Sequence, residues 1–267
     1  MLDTLLDRSE GRDLPLPAAL AERYGGPLRF PLDQTHVFAN FVSTIDGIVS
    51  FGLPGRSQAA LVSGGHPADL FILALLRAVA DAVIVGAGTL RQEPASIWTP
   101  EHVFPQAADD FAALRKARRK PTRPLTVIAS ATGDLDLTLP AFSEGEPIVI
   151  VTTEGGARRL ARAPKHVRIR ALAATSAPAI VRAAQEESGG RLLLTEGGPT
   201  LLGSFLRDGA LDELFLTISP RIAGRSEKER RISLVEGAAF DPADVRKQRL
   251  SSLKTADDYL FLRFASA

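Results

Sequence analysis

Short runs of apolar, often β-branched residues alternate with helical patterns along most of this chain of 267 residues. The apolar runs include DAVIV at 81–85, PLTVIAS at 124–130, PIVIVTT at 147–153 and RLLLTE at 191–196. Apolar residues at helical spacing occur at 67–78, 109–118, 157–163, 177–187 and 199–207. Strands that alternate with helices in this way form a mostly parallel sheet with helices on both faces. The sequence therefore predicts an α/β fold.

The two ends of the chain depart from this alternation. Residues 1–35 hold a helical stretch at 17–24 followed by Gly25-Gly26-Pro27, and we interpret them as an N-terminal arm. A strand at 36–43 and a Gly-rich loop at 51–65 open the main domain, 36–267. After a strand at 212–219, the segments 246–253 and 259–264 predict a closing hairpin. We therefore expect antiparallel pairing at the C-terminal end of the sheet.

Composition excludes several classes of protein. The formal net charge is +1, which argues against nucleic acid or an anionic membrane as the main partner. The chain contains no run of about 18 apolar residues, so the sequence predicts no membrane span. The chain has no cysteine, so it has neither a thiolate nucleophile nor a cysteine-ligated zinc, and we expect a cytoplasmic protein. The four histidines (36, 66, 102, 166) have no metal-binding spacing, so we expect no metal site.

The stretch LLLTEGGPTLLGSF at 192–205 contains a sharp strand-to-helix corner. Pro199 suits the first helical position, where a missing N–H costs nothing. Gly197 and Gly198 would allow a ligand to approach the backbone, and the free N–H groups of a first helical turn attract phosphate. A tight turn that binds nothing explains the same residues, so both interpretations stand at this point.

Two further strand exits carry glycines. GAGTLR at 86–91 departs from the dinucleotide-binding pattern G-x-G-x-x-G because Arg91 occupies the third glycine position. At the other exit, Arg158 and Arg159 follow TTEGG at 152–156. These two arginines either hold the ribose phosphate that distinguishes NADPH from NADH or lie exposed on a surface helix.

Three stretches in order resemble a known family: NFVSTIDG at 40–47, LLRAVADAVIVGAGTLRQEP at 75–94 and LLLTEGGPTLLGSFLRDGALDELFLTISPRIAG at 192–224. Together they are similar to the reductase domain of the riboflavin-biosynthesis bifunctional deaminase–reductase, in the dihydrofolate-reductase-like superfamily. The resemblance spans about residues 36–264. It implies an NADPH-dependent reductase that converts the ribosylamino group of a phosphorylated pyrimidine to ribitylamino. It also implies a homodimer.

The resemblance assigns roles to individual residues. It implies that NADPH contacts Val42, Thr89, Glu93, Ser130, Gly198, Pro199, Thr200, Leu201, Leu202, Gly203 and Ser204. It implies that the heterocyclic substrate contacts Ser57, Arg77 and Glu196. We interpret Asp46, which follows the first strand, as the proton donor, acting directly or through water.

The sequence departs from the family at three places. Without cysteine, the zinc deaminase half is absent. Asn40 stands where the family often has a lysine. The segment QEPASIWTP at 92–100 lacks the arginine that binds substrate phosphate in the family, although its Trp98 could stack on a flat ring. The alternatives are therefore a dihydrofolate- or pterin-type reductase and a non-catalytic NADPH-binding protein.

Overall fold

A computed structural model describes residues 1–53 and 55–267. Within them the strands are β1 (Asp3–Asp7), β2 (Arg12–Asp13), β3 (Arg29–Phe30), β4 (His36–Thr44), β5 (Ile48–Ser50), β6 (Ala82–Gly86), β7 (Leu125–Ala129), β8 (Ile148–Thr153), β9 (Arg168–Leu172), β10 (Leu192–Thr195), β11 (Glu213–Ser219), β12 (Ile232–Ser233), β13 (Gln248–Ala256) and β14 (Tyr259–Ser266). The helices are α1 (Ala18–Tyr24), α2 (Gln58–Ser63), α3 (Pro67–Val79), α4 (Ala87–Gln92), α5 (Pro100–Val103), α6 (Ala108–Ala117), α7 (Glu154–Arg159), α8 (Ala177–Ser188) and α9 (Pro199–Arg207). None of the helices in the described part of the chain is long and apolar enough to cross a membrane.

The central sheet has ten strands in the order β1-β13-β14-β11-β4-β10-β6-β7-β8-β9. The seven strands from β11 to β9 run parallel, and Leu193 of β10 pairs with Val37 on one side and Ala82 on the other. At the other end, β14, β13 and β1 add antiparallel pairs. The prediction of a mostly parallel sheet flanked by helices, with an antiparallel C-terminal hairpin, is confirmed.

Successive side chains of each parallel strand enter two different cores, because residues of a strand alternate between faces. Val83 and Val85 of β6 join one core, which also contains the buried faces of α1, α3 and α6. Ala82 and Ile84 join the other core, which is covered by α8 and α9. Burial on both faces explains why these strands are continuous apolar runs in the sequence.

The helices that border the site begin and end at residues suited to these positions. Pro67 and Pro199 occupy the first turns of α3 and α9, where a proline sacrifices no hydrogen bond. The backbone N–H of Ala68 donates to His66 Nδ1 at 3.3 Å, which caps α3. Gly209 follows α9 with a φ of +63°, a conformation that glycine adopts without strain.

Two local expectations require correction. The predicted loop at 51–65 contains the helix α2, which Ser57 caps by accepting a hydrogen bond from the Ala60 N–H. The helix expected at 157–163 spans Glu154–Arg159 instead, because the Thr153 hydroxyl accepts the Gly156 N–H at 3.1 Å and starts the helix earlier. Both errors concern caps whose partners are set by the folded backbone.

Residues 1–35 pack along the antiparallel edge of the sheet. β1 pairs with β13, and Leu14, Leu28 and Phe30 are buried in the core that contains α3. The Arg263 guanidinium donates to the Arg29 carbonyl at 2.7 Å and links this segment to the sheet.

Candidate functional site

The carboxyl ends of β4, β6, β7 and β10 meet at one edge of the sheet, where ligands bind in open α/β proteins. Two adjoining cavities lie there. The larger has a volume of about 770 Å³ and the smaller about 300 Å³. Both are lined by the same five residues at their junction: Ser50, Thr89, Gln92, Gly198 and Pro199.

The larger cavity lies over the exits of three strands. It is bounded by the starts of α4 and α9, by residues 129–132 at the end of β7 and just after it, and by residues 229–232 at the start of β12 and just before it. Seven residues assigned to the cofactor line it: Thr89, Ser130, Gly198, Pro199, Thr200, Leu201 and Ser204. Most of the residues predicted to contact the cofactor therefore share one cavity.

The glycines of the corner have different structural roles. A Cβ on Gly197 would lie 2.2 Å from Leu201 Cδ2, so Gly197 allows α9 to pack closely against the end of β10. A Cβ on Gly198 would lie 3.2 Å from the Thr89 hydroxyl oxygen, which accepts the Gly198 N–H at 2.9 Å. Gly88 lines the same cavity, and a Cβ built on it meets open space. The corner is both a packed turn and a cavity wall.

Four residues assigned to the cofactor do not lie in the larger cavity. Val42 and Glu93 line the smaller one. The structure does not bring Leu202 and Gly203 to either cavity, because helical periodicity turns them to other faces of α9. Leu202 is buried in the core below α9, and a Cβ on Gly203 would lie 2.3 Å from the Glu236 carbonyl oxygen.

The smaller cavity brings together the three residues assigned to the substrate, Ser57, Arg77 and Glu196. The Arg77 guanidinium donates to both carboxylate oxygens of Glu196, at 2.8 and 2.6 Å. Its remaining nitrogen contacts the carbonyls of Ile97 and Thr99 at 3.3 and 3.4 Å. The two side chains are only 6% and 8% exposed, so this is a buried, bidentate ion pair.

Asp69 is a cavity residue that the sequence reasoning missed. It lies in the first turn of α3, is buried, and lines the smaller cavity. Burial raises the pKa of the Asp69 carboxyl to about 6, although Thr217, Ser63 and His66 oppose this shift. In the sequence, an aspartate at a helix start indicates only a favourable interaction with the helix dipole.

The structure does not place Asp46 at the site. It lies in the turn after β4, outside the described lining of both cavities. Its carboxylate accepts the Thr44 hydroxyl at 2.6 Å and the N–H groups of Ala223 and Gly224 at 3.0 and 2.7 Å. These hydrogen bonds, the Thr44 bond foremost, lower the pKa of Asp46 to about 2. The geometry is therefore that of a turn-stabilising carboxylate, which remains ionised and holds no proton at neutral pH.

The remaining residues noted in the sequence divide between the cavity and other surfaces. Trp98 is 2% exposed and lines the smaller cavity, as does Asn40. The buried Oδ1 of Asn40 has no hydrogen-bond partner among the described residues. Arg158 and Arg159 lie on α7 and do not belong to the described lining of the larger cavity.

Comparison with known proteins agrees with this architecture. Residues 35–261 match the family described as the RibD C-terminal domain. The chain is 25% identical over 196 residues to the 2,5-diamino-6-ribosylamino-4(3H)-pyrimidinone 5′-phosphate reductase of Archaeoglobus fulgidus. That alignment covers 72% of this chain and 83% of the relative.

Two solved structures have a similar fold. RibD of Acinetobacter baumannii aligns with a TM-score of 0.66 at 18% identity, over 88% of this chain and 58% of the RibD chain. A pyrimidine reductase-like protein from Corynebacterium diphtheriae aligns with a TM-score of 0.64 at 22% identity, over 87% and 92% of the two chains. This chain thus spans little more than half of the length of the Acinetobacter protein.

Proposed function

Because the chain belongs to the RibD C-terminal domain family, we propose that it is an NADPH-dependent reductase of a pyrimidine-type heterocycle, resembling the reductases of riboflavin biosynthesis. The observation that carries this proposal is the pair of adjoining cavities with the Gly198 corner at their junction. A reductase of this kind must hold a hydride donor beside an acceptor, and two cavities with a common wall meet that requirement.

The larger cavity fits a nicotinamide dinucleotide. Its volume of about 770 Å³ lies within the range of cofactor sites. Its wall offers hydroxyl groups from Thr89, Ser130 and Ser204, the start of α9, and open space beside Gly88. Hydroxyls and a helix start are the groups that proteins direct at phosphates. These residues would hold the cofactor, which supplies the hydride when bound.

Two arginines in the wall of the larger cavity favour NADPH over NADH as the cofactor. Arg91 and Arg230 line the larger cavity and are exposed. Guanidinium groups bind phosphate through paired N–H donors, so they suit the additional ribose phosphate of NADPH. They replace Arg158 and Arg159 in this role.

The smaller cavity contains the groups that would orient and protonate a substrate. The ion pair with Arg77 fixes the Glu196 carboxylate, whose unused lone pairs can accept N–H or O–H groups of a ring or sugar. Asp69, with a pKa of about 6, holds a proton on a fraction of molecules at neutral pH and can donate it. We therefore assign proton donation to Asp69.

The test is oxidation of NADPH, followed by its absorbance, with a panel of ribosylaminopyrimidines, dihydropterins and dihydrofolate. We expect turnover with a ribosylaminopyrimidine and much weaker activity with NADH. Turnover confined to dihydrofolate or dihydropterins would indicate the second type of reductase. NADPH binding without turnover of any ring would favour a non-catalytic binding protein and would contradict the proposal.

A further inference from the structure

The positive charge of the smaller cavity is already neutralised by the protein. Among the described residues that line this cavity, Arg77 is the single arginine and no lysine joins it. Each of its three guanidinium nitrogens contacts a protein oxygen, on Glu196, Ile97 or Thr99. A ligand anion would have to share Arg77 with the Glu196 carboxylate, which already balances the charge of the guanidinium and occupies its two shortest hydrogen bonds.

The other ionisable groups of the cavity are carboxyls and one neutral ring. Glu93 accepts the Gln58 N–H at 2.9 Å and the Ser96 hydroxyl at 3.1 Å. Asp69 and Glu196 add two further carboxyl groups. Burial, followed by the positive charge of Arg77, lowers the pKa of His102, so its ring contributes no charge at neutral pH. Carboxyl groups thus outnumber cations three to one in this wall.

A phosphate dianion is unsuited to such a wall. Proteins bind phosphates with unpaired guanidinium or ammonium groups and with clusters of backbone N–H groups. In the smaller cavity the phosphate would lie beside carboxylates, and like charges brought close together repel each other.

We infer that the smaller cavity takes a heterocyclic substrate that carries no phosphate group, such as a ribosylaminopyrimidine with a free sugar hydroxyl. The inference rests on the proposed function and specifies its substrate class. It distinguishes this chain from its Archaeoglobus relative, whose name specifies a 5′-phosphate. The reaction that supplies such a substrate must either remove a phosphate from the sugar or start from a sugar that has none.

The experiment compares one ribosylaminopyrimidine with and without its 5′-phosphate. Both are assayed for kcat/KM at saturating NADPH, and for equilibrium binding to the NADPH-loaded protein through Trp98 fluorescence. We expect the phosphate-free compound to have a kcat/KM and an affinity at least about tenfold higher. Equal values, or a preference for the phosphorylated compound, would overturn the inference while leaving the reductase proposal intact.

Failure of the proposed function gives a different result. If neither compound is turned over, the binding measurement still ranks the two, and tighter binding of the phosphate-free compound supports the inference about the cavity. If neither compound binds, the substrate class is wrong and the inference falls with it.

Two variants locate the source of the discrimination. Glu93→Gln removes one negative charge from the wall and should reduce the preference for the phosphate-free compound about threefold to tenfold. Glu144→Gln, at an exposed position outside the described lining, is the matched control and should leave the ratio unchanged. A preference for phosphate that Arg56→Gln abolishes would show a phosphate site at the exposed rim beside Ser57, and would overturn the inference.

Discussion

At the scale of single residues, Asp69 and Glu196 show how differently two carboxyls of one cavity are held. Glu196 is paired with a guanidinium, whereas burial dominates the environment of Asp69 and raises its pKa to about 6. In the proposed reaction, Glu196 would orient the substrate through its ion pair with Arg77 and Asp69 would transfer the proton.

Asp69 should therefore impose a pH dependence on turnover. If its protonated form is the donor, kcat/KM falls as the pH rises through about 6. Asp69→Asn should reduce kcat/KM by about 100-fold and flatten this profile. Asp46→Asn is the control, since Asp46 lies outside the cavities and should leave the profile in place. An unchanged profile in Asp69→Asn would remove Asp69 from the mechanism.

The same residue should also affect the stability of the fold. A carboxyl whose pKa is raised on folding destabilises the protein when ionised, and this penalty disappears as the pH falls from about 6 towards 3.8. We expect Asp69→Asn to increase the free energy of unfolding above neutral pH by up to about 3 kcal/mol. The gain should vanish in acid. Urea denaturation across this pH range measures it, and a gain independent of pH would contradict the assignment.

Removing the charge of Glu196 leaves Arg77 buried without a counter-ion. We expect Glu196→Gln to destabilise the fold by about 3 kcal/mol and to reduce kcat/KM severely. The Kd for NADPH should stay within about twofold, because the carboxylate faces the other cavity. Glu186→Gln, which removes a half-exposed partner of Arg170, is the matched control and should cost less than about 1 kcal/mol. A larger effect on NADPH affinity than on turnover would indicate that Glu196 contacts the cofactor and not the substrate.

At the scale of elements, the strand-to-helix corner before α9 was the most informative feature of the sequence. The bounds of α9 agree with the expectation at 199–207 because proline and glycine fix its two ends locally. Physical reasoning about the sequence alone left a phosphate site and a bare turn equally open. The structure adds that Gly198 lies at the junction of two cavities and that its N–H is held by Thr89.

The corner should not tolerate a larger side chain. In Gly198→Val, the Cβ would lie 3.2 Å from the Thr89 hydroxyl oxygen and its methyl groups would narrow the larger cavity. We expect the Kd for NADPH to rise at least about tenfold, measured by fluorescence titration. Gly155→Val at the start of α7, where a Cβ makes ordinary contacts outside the cavity, is the control. Equal affinities of the two variants would refute the assignment of the corner to the cofactor.

At the scale of the whole molecule, a buried cluster of charges joins the parallel strands β4 and β11 to β14 in the antiparallel part of the sheet. Glu213 of β11 accepts His36 at 2.9 Å and two nitrogens of Arg263 at 3.0 and 2.6 Å. Burial disfavours ionisation of Glu213, but the His36 and Arg263 interactions outweigh it and hold the pKa of Glu213 below its usual value of 4.5. The cluster also reaches the N-terminal arm through the Arg29 carbonyl.

This cluster should contribute to acid denaturation. A carboxyl with a lowered folded-state pKa stabilises the protein above its unfolded-state pKa, and this stability is lost as the pH falls through the folded-state value. The free energy of unfolding should therefore decline below about pH 4.5. In Glu213→Gln, which is destabilised by about 3 kcal/mol at neutral pH, the decline should be shallower. A parallel decline in both proteins would exclude Glu213 as a source.

The fold was predictable from the sequence to a greater extent than the site was. Buried parallel strands such as β7 and β8 are apolar on both faces, so their order along the chain indicates the sheet directly. The residues of the site lie far apart in sequence. Arg77 and Glu196 are separated by 119 positions, and no local pattern indicates that they satisfy each other. The pKa of Asp69 likewise depends on surroundings that exist only after folding.

The Arg77–Glu196 pair ties the two sides of the molecule to each other. Arg77 belongs to α3 on one face of the sheet, and Glu196 directly precedes the corner from which α9 crosses the other face. An adjustment of the corner that displaces Glu196 would therefore also act on Arg77 and on the wall of the other cavity. Cofactor and substrate should consequently bind with a coupling free energy, each changing the affinity of the other by the same factor.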